Sequence, residues 1–251
     1  YLLNYGDKMN ITGRTKLVGV IGDPVEHSCS PQMHNAVFRE MNMDYVYVPF
    51  HVKPEHLREA INGFKALNVV GINVTLPHKK AVLPMMDSIS EEAGLIGAVN
   101  TLVFKDGIVE GHNTDARGFI ASLKESGISN LKGMKAVVLG AGGGAQAVVV
   151  GLAMEGVDRI IIANRTKEKA VELAKSLSNK TKVMMEGISL DDDRLKDYLS
   201  ESNLLISTIT ASMDARIQLV VNPNWFHKEL IVCDIVYTPP ETKLLKSASE
   251  R

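Results

Sequence analysis

Lys135-Ala136-Val137-Val138-Leu139-Gly140-Ala141-Gly142-Gly143-Gly144-Ala145, followed after an apolar segment by Ile160-Ile161-Ile162-Ala163-Asn164-Arg165-Thr166, is the stretch that decides the fold. An apolar run, a glycine cluster, a helix-compatible segment carrying Val148, Val149, Leu152 and Ala153, and a second apolar run read as strand, tight turn, helix, strand. Gly140, Gly142 and Ala145 stand at G-x-G-x-x-G/A spacing. The first small residue permits the turn, the second lets a pyrophosphate approach the backbone, and the third lets helix pack on strand. Such a turn alone is weak evidence, because glycines also join strands to helices for steric reasons. A strand before it, a helix after it and a second strand at the expected distance put dinucleotide binding ahead of a purely structural turn, with Gly140 to Ala145 facing the phosphates across a helix N-terminus.

The end of the second strand selects the dinucleotide. NAD enzymes place Asp or Glu there to hold the ribose hydroxyls, and that carboxylate repels a 2′-phosphate. Here Asn164, Arg165 and Thr166 stand in its place, with Lys169 following. A planar, always-charged guanidinium between two neutral hydrogen-bonding residues suits a phosphate and predicts NADP. Ordinary solvated charges are the weaker reading of Arg165 and Lys169, since a helix start disfavours cations.

The remaining composition is that of an ordinary globular chain: 251 residues, 45% hydrophobic, 23% charged, formal net charge −1. This length suits one large or two moderate domains. Near-neutral balance argues against nucleic-acid or membrane-surface partners, and no apolar run approaches the roughly 20 residues that span a bilayer. Residues 1–14 read as a loose leader without the apolar core of a signal peptide. Two distant cysteines, Cys29 and Cys233, make no disulfide framework, and the seven histidines lack metal-ligand spacing, so no metal is expected and a reducing cytoplasm is.

The first half reads as a separate α/β unit. Leu17 to Ile21 is a short buried strand ending in the turn Gly22-Asp23-Pro24. Ser30 is expected as the N-cap before Pro31, with Met33, Ala36, Val37 and Met41 forming the apolar face of the helix. Tyr45 to Val48 is the next strand. Pro54 opens a helix with Leu57, Ala60, Ile61, Phe64 and Leu67 at helical period, and Val70 to Thr75 is a third strand. Short helices are expected from Pro77 to Gly97, then a hairpin turning at Lys105-Asp106-Gly107, then a helix capped by Thr114 or Asp115 and stopped at Gly127. The prediction is an α/β protein of two domains: residues 15–115 with a mainly parallel sheet for the substrate, and residues 116–251 as a Rossmann-type dinucleotide-binding domain.

Open parallel sheets bind ligands beyond the carboxyl ends of their strands, and polar residues cluster there. Ser28 and Ser30, at a helix start, offer hydroxyls and N–H groups to a carboxylate, though capping alone would account for Ser30. Asn73, Thr75 and Asn100 sit where β-propensity disfavours asparagine, which suits hydrogen bonding to a hydroxylated small molecule. Pro77-His78-Lys79-Lys80 reads as a helix start, where a cation opposes the dipole. Such surroundings favour the neutral amine of Lys79 and hence acid–base work, with Asp115 as a carboxylate to orient it. A surface lysine and a helix cap remain the plain reading of that pair.

These residues resemble a known family. Gly22-Asp23-Pro24-Val25-Glu26-His27-Ser28-Cys29-Ser30-Pro31-Gln32-Met33-His34-Asn35 is similar to the substrate motif near the start of shikimate dehydrogenases. Asn73-Val74-Thr75-Leu76-Pro77-His78-Lys79, Gly97-Ala98-Val99-Asn100-Thr101 and Gly111-His112-Asn113-Thr114-Asp115 resemble the next three motifs, in order. The glycine turn, Asn164-Arg165-Thr166 and Asp234-Ile235-Val236-Tyr237 complete the likeness across most of the chain. The resemblance implies reversible NADPH-dependent reduction of 3-dehydroshikimate to shikimate in aromatic-precursor synthesis. It implies Lys79 and Asp115 as the catalytic pair, and Ser28, Ser30, Asn73, Thr75, Asn100 and Tyr237 around the substrate. Lys169 and Met213 would join the cofactor residues.

The chain departs from the family in places. Ser207-Thr208-Ile209-Thr210-Ala211-Ser212-Met213 lacks the usual glycine of the loop over the nicotinamide, Gln146 replaces a frequent arginine, and the sequence stops at Arg251, before the family's final helices. Two alternatives stay open: a quinate/shikimate enzyme preferring NAD, and a dinucleotide-binding module without catalysis. A homodimer also stays open.

Overall fold

The computed structural model describes residues 11–209, 221–236 and 239–251, and divides into two compact units, Tyr1–Thr114 and Asp115–Arg251. Tyr237 and Met213, expected at the substrate and cofactor sites, lie outside the described residues, as does most of the loop after Ile209.

In the first unit the chain runs β1 (Lys16–Gly22), α1 (Ser30–Glu40), β2 (Tyr45–His51), α2 (Leu57–Ala66), β3 (Gly71–Val74), β4 (Ser88–Ile89), α3 (Glu91–Ile96), β5 (Thr101–Lys105) and β6 (Ile108–His112). The sheet order is β2-β1-β3-β5-β6-β4. β1 runs parallel to β2 and β3, while β5 lies antiparallel between β3 and β6. The β5–β6 hairpin forms as expected, because Asp106 and Gly107 both take positive φ, 52° and 78°, as a two-residue mirror-image turn requires. Ile21, Leu57, Ile61, Phe64, Ile72 and Leu102 fill one core under the sheet.

Several expectations for this unit need correction. Ser30 is the first helical residue rather than the cap; Cys29 holds the cap position, without a side-chain capping bond. The apolar face assigned to α1 is turned to solvent, with Met33 57%, Val37 46% and Met41 63% exposed. The helix instead meets β2 through His34, Asn35 and Phe38, so aromatic stacking and amide bonds outweigh the aliphatic pattern. Leu67 likewise falls just beyond α2 and is exposed. Residues 76–82 form hydrogen-bonded turns rather than a helix, so the dipole conflict expected at Lys79 does not arise there. β4, unpredicted, pairs with β6 over only two residues.

In the second unit α4 (Asp115–Glu125) precedes β7 (Lys135–Leu139), α5 (Gly143–Met154), β8 (Arg159–Asn164), α6 (Lys167–Thr181), β9 (Met184–Ser189), α7 (Leu195–Glu201), β10 (Leu204–Ser207), β11 (Ile231–Asp234) and α8 (Lys243–Ser249). The sheet is wholly parallel in the order β11-β10-β7-β8-β9, so the strand order reverses at β7. Its central strands are continuous apolar runs because helices cover both faces: Val137, Val138, Leu139, Ile160 and Ile162 are completely buried. At one side Glu186 of β9 gathers Arg159 (3.4 Å), Arg194 (2.7 Å) and the Tyr198 hydroxyl (2.8 Å), tying β8 and α7 to the sheet. No described helix is long and apolar enough to cross a membrane.

Candidate functional site

The cofactor half is built at the point where the strand order reverses, beyond the ends of β7 and β10, which is where open α/β sheets bind ligands. Gly140 leaves β7 with φ +107°, and a Cβ there would lie 2.4 Å from Thr208 Oγ1. That hydroxyl in turn donates to the Leu139 carbonyl at 2.7 Å, so the turn and the end of β10 are locked together. Gly142 and Gly143 are exposed and have nothing within 4 Å of a built Cβ, while Ala145 is completely buried against the unit's interior. The turn therefore presents bare backbone at the N-terminus of α5 on one side and close packing on the other. This is the cradle a pyrophosphate needs. Ala141 and Gly144 complete the turn, with a Cβ on Gly144 meeting Ile235 at 2.8 Å.

At the end of β8, Asn164 Nδ2 donates to the Thr166 carbonyl at 2.9 Å and shapes the turn into α6. Thr166 occupies the cap position of α6 without a side-chain capping bond, and Arg165, Thr166 and Lys169 are exposed. Gln146 is half-buried on α5. The residues present thus fit NADP: bare glycine backbone for the pyrophosphate, and an exposed guanidinium, with no carboxylate at Asn164 to Thr166, for a 2′-phosphate.

The substrate half is a hydrogen-bonded network that runs from the middle of β2 across β3 to the start of β5, beside the start of α1. Ser28 Oγ accepts the Ser30 N–H at 3.3 Å, so Ser28 does the capping-like work expected of Ser30. The Tyr47 hydroxyl donates to Asn73 Oδ1 at 2.7 Å, and Asn73 Nδ2 donates to Thr101 Oγ1 at 3.2 Å and to the Asn100 carbonyl at 3.4 Å. Thr101 donates to Asn100 Oδ1 at 2.9 Å, and Asn100 Oδ1 also accepts the Thr114 N–H at 3.0 Å. Asn73 and Asn100, expected separately from sequence, are therefore one connected system, with Ser30 beside its Tyr47 end. Thr75 follows β3, its N–H bonded to the Ile21 carbonyl, with its methyl close against Gly22.

Lys79 is half-buried in the turns after β3 and is held through its backbone, its carbonyl accepting the Val99 N–H at 2.8 Å, one residue before Asn100. Its neighbour His78 is 1% exposed and donates Nε2–H to the Val52 carbonyl at 2.6 Å. The Val52 N–H bonds to Gly22, so three strand ends are cross-linked around the lysine turn. Asp115 is the first residue of α4, where a carboxylate complements the helix dipole. Lys79 belongs to the first unit and Asp115 opens the second.

Sequence reasoning missed Tyr47. In a strand of alternating Tyr and Val its ring reads as core, and it is 4% exposed. The available signal was its hydroxyl, because a buried phenol must find partners. Burial pushes its pKa up to about 12 against the opposing hydrogen bond from Ser30, which keeps it protonated. His34 stacks on the same ring at 4.5 Å, and its own pKa is lowered by burial, favouring the neutral imidazole.

Comparison with known proteins agrees with this geometry. Residues 20–102 match the family described as the shikimate dehydrogenase substrate binding domain, and residues 122–236 match shikimate/quinate 5-dehydrogenase. A shikimate dehydrogenase (NADP(+)) of Methanopyrus kandleri is 45% identical over 244 residues, covering 96% of this chain and 84% of the relative. The 1.45 Å crystal structure of shikimate 5-dehydrogenase from Listeria monocytogenes, in complex with shikimate and NAD, superposes with a TM-score of 0.92 at 36% identity, covering 96% of this chain and 85% of that one. The enzyme from Thermus thermophilus, in complex with NADP(H) and shikimate, gives 0.81 at 32% identity, covering 94% and 84%. With substrate-domain and dehydrogenase signatures matched in sequence order, and relatives this similar over nearly its whole length, the chain belongs to the shikimate dehydrogenase family.

Proposed function

We propose that this chain catalyses the reversible NADPH-dependent reduction of 3-dehydroshikimate to shikimate, in aromatic amino acid synthesis. The observation that carries the reading is the Tyr47–Asn73–Asn100 network beside Ser28 and Ser30, a polar assembly suited to a small polyhydroxy acid, in a family of NADP enzymes. Residues 15–115 take the substrate and residues 116–251 the cofactor. Ser28 and Ser30 hold the carboxylate beside Thr75, and Asn100 meets ring hydroxyls. Asn73 acts through its neighbours, since its amide is already committed to Tyr47, Thr101 and Asn100. NADPH, when held by Gly140 to Ala145 and Asn164 to Lys169, supplies the hydride for the carbonyl carbon. Lys79 gives its proton to the carbonyl oxygen, and takes one back in the reverse direction, while Asp115 balances its charge.

The test is NADP+ reduction by the purified protein with shikimate, in parent and Lys79→Ala forms. Lys79→Ala is expected to lower kcat by roughly 10²–10⁴ while NADP binding is kept. No turnover by the parent, or full turnover by the variant, would sink the reading. The rival reading, an NAD-preferring quinate enzyme, draws on the quinate wording of the matched family, and Arg165 opposes it. A cytoplasmic location belongs to the proposal too, supported by two free cysteines, Cys29 and Cys233. Sedimentation of the purified chain would decide whether it forms a homodimer.

A further inference from the structure

The network at the strand ends has a residue at its centre to which neither the sequence motifs nor the family descriptions give a role. Tyr47 lies mid-strand in β2 and is held from four directions. Asn35 Nδ2 donates to its carbonyl at 2.9 Å and Asn35 Oδ1 accepts its N–H at 2.8 Å, so the backbone is clamped. His34 stacks on the ring at 4.5 Å with the planes 9° apart. At the tip, the hydroxyl donates to Asn73 Oδ1 at 2.7 Å, with Ser30 beside it. His34 and Asn35 close the first substrate-like motif, and their contacts show what that end of the motif does: it fixes one phenol.

The consequence lies in what this hydroxyl dictates to its partners. An asparagine amide has two faces, and donation from Tyr47 forces Oδ1 toward β2 and Nδ2 toward Thr101 and the Asn100 carbonyl, both of which accept. We propose that Tyr47 is a positioning residue for the substrate, its hydroxyl pre-setting the Asn73 amide and, through it, Thr101 and Asn100 for the ring hydroxyls. A preset site binds more tightly because the ordering cost is met before the ligand enters. The proposal rests on the dehydrogenase reading for the identity of the ligand, and on this geometry alone for the role of Tyr47.

Tyr47→Phe removes one oxygen and keeps the stacked ring and both backbone bonds to Asn35. Calorimetric titration with shikimate should show affinity reduced about tenfold, the size of one net hydrogen bond. In turnover, KM for shikimate should rise by a similar factor, with kcat within about twofold and KM for NADP unchanged, the signature of lost uniform binding. Combined with Asn73→Ala, the two losses should amount to less than their sum, because the hydroxyl acts through the Asn73 amide. Unchanged shikimate affinity in Tyr47→Phe, or fully additive effects, would overturn the proposal. So would an equal loss for both ligands with a lowered melting temperature, since that marks a merely structural role. A parent that binds shikimate without turning it over would sink the dehydrogenase reading while leaving the titration decisive for Tyr47. A parent that does not bind shikimate would sink both.

Discussion

Arg165 is one exposed side chain in a turn of three residues, and the proposed preference for NADP rests on it. Asn164 is occupied with the Thr166 carbonyl, leaving the guanidinium as the charged group at the end of β8. Arg165→Glu is expected to lower kcat/KM for NADPH by roughly 10- to 100-fold, the worth of a charge-assisted hydrogen bond. The same variant should improve the relative use of NADH, since a carboxylate there can take the ribose hydroxyls. Steady-state kinetics with both cofactors checks it, and an unmoved ratio would place the discrimination elsewhere. At this scale the sequence spoke clearly where a residue type conflicts with its surroundings, as an arginine does in place of a carboxylate. It was silent where the type conforms: Tyr47 in a strand of alternating Tyr and Val looks like any core aromatic, and only its partners reveal it.

The glycine turn and α5 behave as one element. A methyl at Gly140 demands both a rare backbone conformation, φ +107°, and space 2.4 Å from the Thr208 hydroxyl. Gly140→Ala should therefore cost about 1–3 kcal/mol of stability and raise KM for NADP, leaving shikimate affinity in place. Thermal melting and the two KM values read these separately. Elements were legible from sequence where one physical rule dominated. The apolar runs within β7 and β8 and the glycines between them admit one arrangement, and Asp106-Gly107 one kind of turn. Legibility failed where two rules competed. On α1 the spacing of Met33, Val37 and Met41 promised a buried face, but Asn35 hydrogen-bonds to β2 and His34 stacks on its Tyr47 ring, which turns that face outward. At Pro77 to Val82 a helix-start signal met a stretch held by long-range bonds, the Val99 N–H to the Lys79 carbonyl and the His78 ring to the Val52 carbonyl. Such long-range bonds have no trace in local spacing, which is also why the candidate site could be named residue by residue but its connectedness could not.

Over the whole molecule, the balance of charges predicts acid sensitivity with a definite sign. His34 is lowered from 6.5 by burial. Asp87 is held low by the Val109 N–H and Lys65, and Asp192 by Arg194. For Glu186 burial works upward, and the bonds from Tyr198 and Arg194 outweigh it. All four have depressed folded-state values, so each contributes stability that is present above its unfolded value and lost as pH falls through the folded one. The urea midpoint should stay level between about pH 7 and pH 9, above which the raised Cys233 and Tyr47 begin to cost stability, decline gently below 6.5 with His34, and decline further below 4.5 and 3.8 as the carboxylates protonate. A midpoint that rises on acidification from neutral pH would contradict this. The clamp of Asn35 on Tyr47 also has a meaning at this scale. Among the described residues β2 is the rim of its sheet, and a rim strand offers its free N–H and C=O groups to any extended chain that drifts past. By answering both groups of Tyr47 with one side-chain amide, α1 acts as a single-residue stand-in for the missing neighbour, so a stray strand seeking to zip along this rim would be stopped halfway.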